Sequence, residues 1–306
     1  MMNRHYRLTL LVFAVLSRRA QSQVPSPPYL FSANVNLVVL SATVRDHQGW
    51  SVSGLAESGF TLYEDNKQQT IKLFSHEDIP VTVGLVVDHS TSMRPKLPDV
   101  IAAARTFAQS SRPDDSMFVV NFNEQVTLEL PATNHHYNRP DQLALAIESR
   151  PANGQTALYD AVVEGLNQLL VGKPEKKVLI IFSDGGDNAS KYKLAEVLTL
   201  VEKSNALVYS IGVFSNDDPD KNPGVLSRLA RISGGEAFFP RETSEVVEIC
   251  QRIAADIRNQ YTIGYASSNL ERPGVYRTIR LIAHAAGPGK LSVRTRAGYI
   301  AAEAVK

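Results

Sequence analysis

Two runs without a single charge, Val81 to Val87 and Val178 to Phe182, constrain the fold of this chain more than any other feature. Strands this apolar are covered on both faces, and sheets covered on both faces are built mostly from parallel strands with helical crossovers. Met117 to Phe122 and Ala206 to Val213 have the same character. Amphipathic stretches lie between and after them. Leu97, Val100, Ile101, Ala104, Phe107 and Ala108 share one predicted helix face, and Leu158, Ala161, Val162, Leu166, Leu169 and Leu170 share a second. A third helix carries Leu194, Val197, Leu198 and Val201, and a fourth carries Val246, Val247, Cys250, Ile253, Ala254 and Ile257. Strands alternating with helices imply right-handed βαβ units, hence an α/β fold with a doubly wound, mostly parallel sheet. Cys250 is the only cysteine, which excludes an intrachain disulfide and reads as an inert core thiol.

The flanks of this α/β region have a different period. Phe60-Thr61-Leu62-Tyr63 and Ile71-Lys72-Leu73-Phe74 alternate apolar and polar residues, with turn residues at Asp46 to Gly49 and Asp65-Asn66. After Gln260, Tyr261 to Tyr265, Val275 to Ala283 and Leu291 to Arg294 again read as strands, with a turn at Gly287-Pro288-Gly289. Each flank is too short to bury a core alone. The expectation is therefore that residues 35–78 and 261–300 pair into one small β-sandwich, with residues 79–260 inserted between them. Two separate extensions lying on the α/β domain are the alternative.

Residues 1–22 read as an export signal. Arg4 and Arg7 precede the apolar run Leu8 to Leu16, and Ala20-Gln21-Ser22 supplies small residues at the cleavage spacing, although Arg18-Arg19 is an unusual insertion. The apolar run is shorter than the ~20 residues that span a bilayer, and no later segment looks transmembrane. Pro25, Pro27 and Pro28 mark residues 23–34 as an extended spacer. The protein is thus expected to be exported, whether periplasmic, secreted or attached to the cell surface. With the basic leader set aside, the remainder is slightly acidic and lacks the electrostatic footprint of a nucleic-acid binder.

The apolar run Val81 to Val87 ends in Asp88-His89-Ser90-Thr91-Ser92. One carboxylate and two hydroxyls at the carboxyl end of a buried strand lie where open α/β sheets bind ligands, and an all-oxygen set suits Mg²⁺. The same residues also suit an ordinary helix cap. Thr156 follows Asn153-Gly154-Gln155 and opens a helix, and Asp184 ends the strand Val178 to Phe182 in Ser183-Asp184-Gly185-Gly186-Asp187-Asn188. All three loops fall on one sheet edge, so Asp88, Ser90, Ser92, Thr156 and Asp184 can converge.

On these residues the chain resembles the von Willebrand factor type A family and its metal-ion-dependent adhesion site, whose pattern is Asp-x-Ser-x-Ser, then a Thr, then an Asp. The resemblance covers roughly residues 79–260 and implies a Rossmann-like sheet. Gly59 to Asp65 and Arg296-Ala297-Gly298-Tyr299 also resemble the flanks of bacterial exported proteins of this type. The resemblance implies that Ser90, Ser92 and, in the ligand-ready state, Thr156 bind Mg²⁺ (or Mn²⁺) through hydroxyls. It implies that Asp88 and Asp184 hold the ion directly or through waters. An acidic side chain of a partner protein would complete the coordination, with no bond made or broken. Gln155 stands where relatives often have a second glycine, which bears on the shape of that loop.

Three functions compete at this stage. The first is a non-enzymatic, cation-dependent protein-binding module with no catalytic residue. The second is a metal-dependent hydrolase or phosphotransferase using Asp88 or Ser90 as nucleophile, which lacks an obvious base, a phosphate loop with lysine and Gly-x-Ser-x-Gly. The third is a scaffold whose site is purely structural. Among smaller features, His135-His136 reads as solvated, Asp217, Asp218 and Asp220 as a polar turn, and Trp50 as a lone aromatic on a β-turn.

Overall fold

Strand patterns with period 2 bracket patterns with period 3.6, and the secondary structure follows that division. The computed structural model describes residues 37–130, 140–171, 176–214, 218–269, 273–284 and 289–301. The expected export signal and spacer, the His135-His136 pair and Asp217 lie outside them. From Asn36 onward the chain forms one compact unit.

In chain order, β1 (Leu37–Arg45), β2 (Phe60–Glu64), β3 (Lys67–Gln69) and β4 (Ile71–Ser75) come first. The α/β region follows: β5 (Val81–Asp88), α1 (Leu97–Gln109), β6 (Ser116–Phe122), β7 (Val126–Leu130), α2 (Pro140–Glu148), α3 (Leu158–Val171) and β8 (Lys176–Ser183). It continues with α4 (Leu194–Ser204), β9 (Leu207–Gly212), α5 (Pro223–Ser233), β10 (Ala237–Phe238) and α6 (Glu245–Arg258). The last strands are β11 (Tyr261–Ala266), β12 (Tyr276–Ala283), β13 (Ser292–Arg294) and β14 (Gly298–Ile300).

The central sheet has the order β10-β9-β8-β5-β6-β7, parallel except for the antiparallel β6–β7 pair at one edge. Every residue of β5 and β6 is buried, as expected of runs without a charge before Asp88 at the end of β5. Val83, Leu85, Val87, Ile180 and Phe182 face α1, α2 and α6, whereas Val86, Leu179 and Ile181 face α3, α4 and α5. Helices on both faces make the sheet doubly wound, as the sequence predicts. Gly84 is required for that packing, because a side chain there would meet the Phe118 ring at 2.3 Å. Cys250 is buried in the α6 face and burial pushes its thiol up to about 12, so it stays protonated.

Helices α2 and α5 and the short strands β3, β7, β10 and β14 go beyond the sequence patterns. Two of the four buried positions in α2 are alanines, which weakens its periodic signal. Helix α5 has clearer punctuation. The Asn222 side chain accepts the Val225 N–H at 3.2 Å, Pro223 opens the first turn, and Gly234 closes the helix at φ +86°.

The two β flanks interleave. One antiparallel sheet has the order β13-β1-β11-β4 and the other β14-β12-β2-β3, so each draws strands from both ends of the chain. They face one another across a core of Leu40, Ala42, Val44, Ile263 and Tyr265 on one side and Phe60, Leu62, Ile279 and Leu281 on the other. No helix among the described residues is long and apolar enough to cross a membrane.

Candidate metal centre

Asp88 is the last residue of β5, the strand flanked on both sides by parallel neighbours, and it is fully buried. Its Oδ1 accepts the Ser90 N–H at 2.8 Å and its Oδ2 accepts the Ser183 hydroxyl at 2.7 Å. Ser183 lies at the end of β8, so the two strand ends are fastened through this carboxylate. The Ser90 and Ser92 Oγ atoms are 3.1 Å apart, and the Ser92 hydroxyl donates to Asp184 Oδ2 at 2.5 Å. Four of the five predicted residues therefore form one contiguous cluster of oxygens.

Thr156 enters from the second loop. Its N–H donates to Asn188 Oδ1 at 2.9 Å, and its carbonyl accepts the N–H groups of Asn188 and Ala189 at 2.9 and 3.1 Å. Its hydroxyl makes no hydrogen bond to the other four residues, so the backbone is fixed while the side-chain oxygen is uncommitted. The first loop is tied to the second by Asn153 N–H to His89 O at 2.8 Å and by Thr91 Oγ1 to Gly154 O at 3.2 Å. The Gln155 N–H donates to Glu124 Oε2 at 2.9 Å. Gly154 carries the constraint, at φ +80° with the Glu124 carboxylate where a Cβ would lie. Gly154→Ala should cost about 1–2 kcal/mol from the left-handed backbone and crowding. Urea titration should register that loss, and calorimetry should show weaker cation binding, because the Thr156 loop moves.

The polar atoms around the cluster include residues the sequence did not single out. Ser183 ties the third loop to the first and Asn188 ties it to the second, and Asp187 Oδ1 accepts the Tyr159 N–H at 3.1 Å and the Ser190 hydroxyl at 2.5 Å. The string Ser183 to Asn188 was visible, but nothing in its spacing tells a ligand from a supporting residue. Asp218 departs from a simple polar turn. It is buried and pairs with Lys96 at 3.3 Å, pinning the β9–α5 loop to the start of α1. In the same loop the Asn222 N–H donates to the Asp184 carbonyl at 2.9 Å. Trp50 is exposed on its turn, where Asp46 Oδ1 accepts the N–H groups of Gln48 and Trp50.

The donor set fits a hard dication. Burial, and then the Asp184 carboxylate, push the Asp88 carboxyl up to about 7, with the hydrogen bonds from Ser90 and Ser183 opposing the rise. The two carboxylates thus meet no cationic side chain in an ion pair among the described residues, and the three hydroxyls beside them add neutral oxygen donors. A divalent ion would supply the positive charge through oxygen ligands alone. His89, between Asp88 and Ser90, is buried, and burial lowers its pKa, so it sits there as a neutral imidazole.

The von Willebrand factor type A domain model matches residues 82–252. The chain belongs to this family. An uncharacterized protein of Synechocystis sp. is 24% identical over 198 residues, covering 63% of this chain and 44% of that protein. Proximal thread matrix protein 1 from the mussel byssus superposes with a TM-score of 0.53 at 16% identity, covering 63% of this chain and 50% of that one. A von Willebrand factor type A protein from Catenulispora acidiphila gives 0.51 at 14% identity, covering 89% of this chain and 76% of that one. At these identities the two structures speak to fold. The chain spans about half the length of the first relatives it matches.

Proposed function

We propose that this von Willebrand factor type A protein is a non-enzymatic, divalent-cation-dependent protein-binding module working outside the cytoplasm. Asp88, Ser90, Ser92, Thr156 and Asp184 hold Mg²⁺ or Mn²⁺, and an acidic side chain of a partner protein takes the remaining position. Residues 79–260 form the binding domain and residues 35–78 with 261–300 its supporting sandwich, after an export signal (1–22) and a spacer (23–34). The observation that carries the reading is the buried oxygen cluster in which Ser92 bridges Ser90 to Asp184 beside the uncompensated Asp88. The mussel thread protein of similar fold supports a setting outside cells.

Within this arrangement the ion supplies an electrophilic centre that attracts a carboxylate. The protein's own residues position it. Asp88 and Asp184 fix the charge, Ser183 and the Ser90 N–H orient Asp88, and Thr156 offers an uncommitted hydroxyl on a braced backbone. A nucleophilic role for Ser90 has no support from His89, neither of whose ring nitrogens hydrogen-bonds to the Ser90 hydroxyl. Partner capture from an extracellular extract tests the proposal. Chelation and Asp88→Ala should each reduce capture about tenfold or more, the scale expected when a buried charged contact is lost. Thr156→Ala should weaken both capture and cation binding, each by less than Asp88→Ala does. Capture indifferent to both chelation and Asp88→Ala overturns it.

A further inference from the structure

At the end of the α/β domain opposite the metal loops, a cleft of about 760 Å³ separates that domain from the sandwich. Lys176 and Leu207, which open β8 and β9, lie on its wall, whereas Asp88 and Asp184 lie at the carboxyl ends of the sheet. The separation is roughly 20 Å, the length of these strands at ~3.3 Å per residue. The volume falls in the ordinary range for small-molecule sites, and junctions between domains are where such sites occur.

The walls of the cleft combine aliphatic side chains with polar ones that include Glu77, Glu202, Lys176 and Arg296. Val39 and Leu73 project from the outer face of the β1–β11–β4 sheet and remain 42% and 40% exposed. Gly264 lies among them, because a side chain there would strike Leu73 and Leu37. Val201, Leu207 and Ile232 form the facing wall. The exposed aliphatic groups are on the sandwich side, Val39 and Leu73, whereas Val201 and Leu207 opposite them are nearly buried and Ile232 is half-buried.

Arg296 gives the cleft its polar end. It belongs to the Arg296-Ala297-Gly298-Tyr299 string, to which the metal-site reading assigns no role. One Nη donates to Asn205 Oδ1 and the other to the Val39 carbonyl, both at 2.9 Å, and the guanidinium lies 5.6 Å from the Tyr299 ring centre. Among the described residues no carboxylate comes within ion-pair distance of it, although Glu202 on the same wall is near enough to favour its charge. A guanidinium carries five N–H donors and stays charged in proteins. Each Nη therefore retains a donor, and the two together form the fork that matches a carboxylate. Lys176, whose ammonium burial holds down to about 8, donates instead to the Ile257 carbonyl at 2.7 Å, which leaves Arg296 as the cation that offers free N–H groups to the cleft. Glu202 makes the site unsuited to a dianion such as phosphate.

We propose that this cleft binds an amphipathic monocarboxylate, its aliphatic chain between Val39, Leu73, Val201, Leu207 and Ile232 and its carboxylate on Arg296. The ligand class is a medium-chain carboxylic acid, bound independently of the metal loops.

Calorimetric titration of the whole, metal-stripped protein with decanoate, decan-1-ol and decylamine, each below its aggregation threshold, tests this. Decanoate should bind at one saturable site, decan-1-ol more weakly, and decylamine not at all. Leu73→Trp, at a half-exposed position that tolerates bulk, should fill the cleft and abolish binding while circular dichroism stays native. Arg296→Gln should weaken decanoate about tenfold or more, the worth of a charge-assisted hydrogen bond, and bring it level with decan-1-ol. Equal binding of decanoate and decylamine, unchanged binding in Leu73→Trp, or no decanoate binding at all overturns the proposal. Every arm is run without cation, so none of these outcomes bears on the metal reading.

Discussion

Replacing Asp88 with asparagine will stabilise the metal-stripped protein and abolish its saturable Mg²⁺ binding. The two effects share one cause. Asp88 sits fully buried, with its carboxyl raised from 3.8 to about 7 by burial first and by Asp184 second. Below pH 4 the carboxyl is protonated in both folded and unfolded chains and costs nothing. As pH rises from 4 to 7 the unfolded chain releases the proton before the folded one does. Folded stability therefore falls through that window, by on the order of 4 kcal/mol once pH exceeds 7. Asparagine keeps the shape and the acceptor for the Ser90 N–H but carries no charge, so the mutant should lack this decline. Urea titrations at pH 4.5, 6 and 8 will show the wild type weakening with pH and Asp88→Asn holding steadier. Adding Mg²⁺ at a hundred times its dissociation constant should restore about 2.7 kcal/mol to the wild type and nothing to the mutant. If Asp88→Asn is instead less stable than the wild type without metal, the carboxylate is satisfied by its own hydrogen bonds. Asp88 would then be a cap, as its place before Ser90 also allows.

Asp256→Ala should cause a large loss of stability. Asp256 lies on α6, almost fully buried. Arg45 from β1 and Arg294 from β13 both donate to its Oδ2, and the Ser51 hydroxyl donates to its Oδ1 at 2.7 Å. Glu236, just before β10, accepts from the same two arginines. β1 and β13 are neighbouring strands, with Thr43 opposite Arg294, so the two guanidinium groups lie side by side at the junction of sandwich and α/β domain. Removing Asp256 leaves both facing one carboxylate, with Ser51 short of an acceptor. Breaking a buried pair this way costs about 3–5 kcal/mol, because an uncompensated charge stays behind. In a chain of this size that corresponds to a fall in melting temperature of roughly 10 °C. Asp256→Asn, which can still accept from Ser51, should cost less. Denaturant midpoints for the two variants decide the matter, and a loss under about 1 kcal/mol would place this junction with solvated surface pairs.

The α/β architecture was legible because its signal is local. Charge-free runs such as Val178 to Phe182 can only be strands covered twice, and the helix with Leu158, Ala161, Val162 and Leu166 shows its buried face in the spacing alone. Helix α2 was harder to see because alanine at its buried positions carries little hydrophobic contrast. Asp88, Ser90, Ser92, Thr156 and Asp184 could be picked out because each stands where a strand ends or a helix begins. The residues that brace them had no such mark. Ser183 and Asn188 act through hydrogen bonds to loops 95 and 32 residues away, and a serine or asparagine in a polar loop looks the same whether or not it makes them.

What the sequence determined alone is thus periodicity, the order of elements, and the sheet edge on which the oxygen-bearing loops gather. Tertiary structure alone decided which strands became neighbours. The alternation in β1 and β12 marks a buried face but is blind to partners, so it does not state that β1 lies between β13 and β11, or β12 between β14 and β2. The same holds for Arg45 and Arg294 against Asp256, and for Arg296 at the cleft. Charge and apolarity are properties of single residues. Compensation or exposure of that charge depends on groups as far as 211 residues away, which only the packed chain brings within hydrogen-bonding distance.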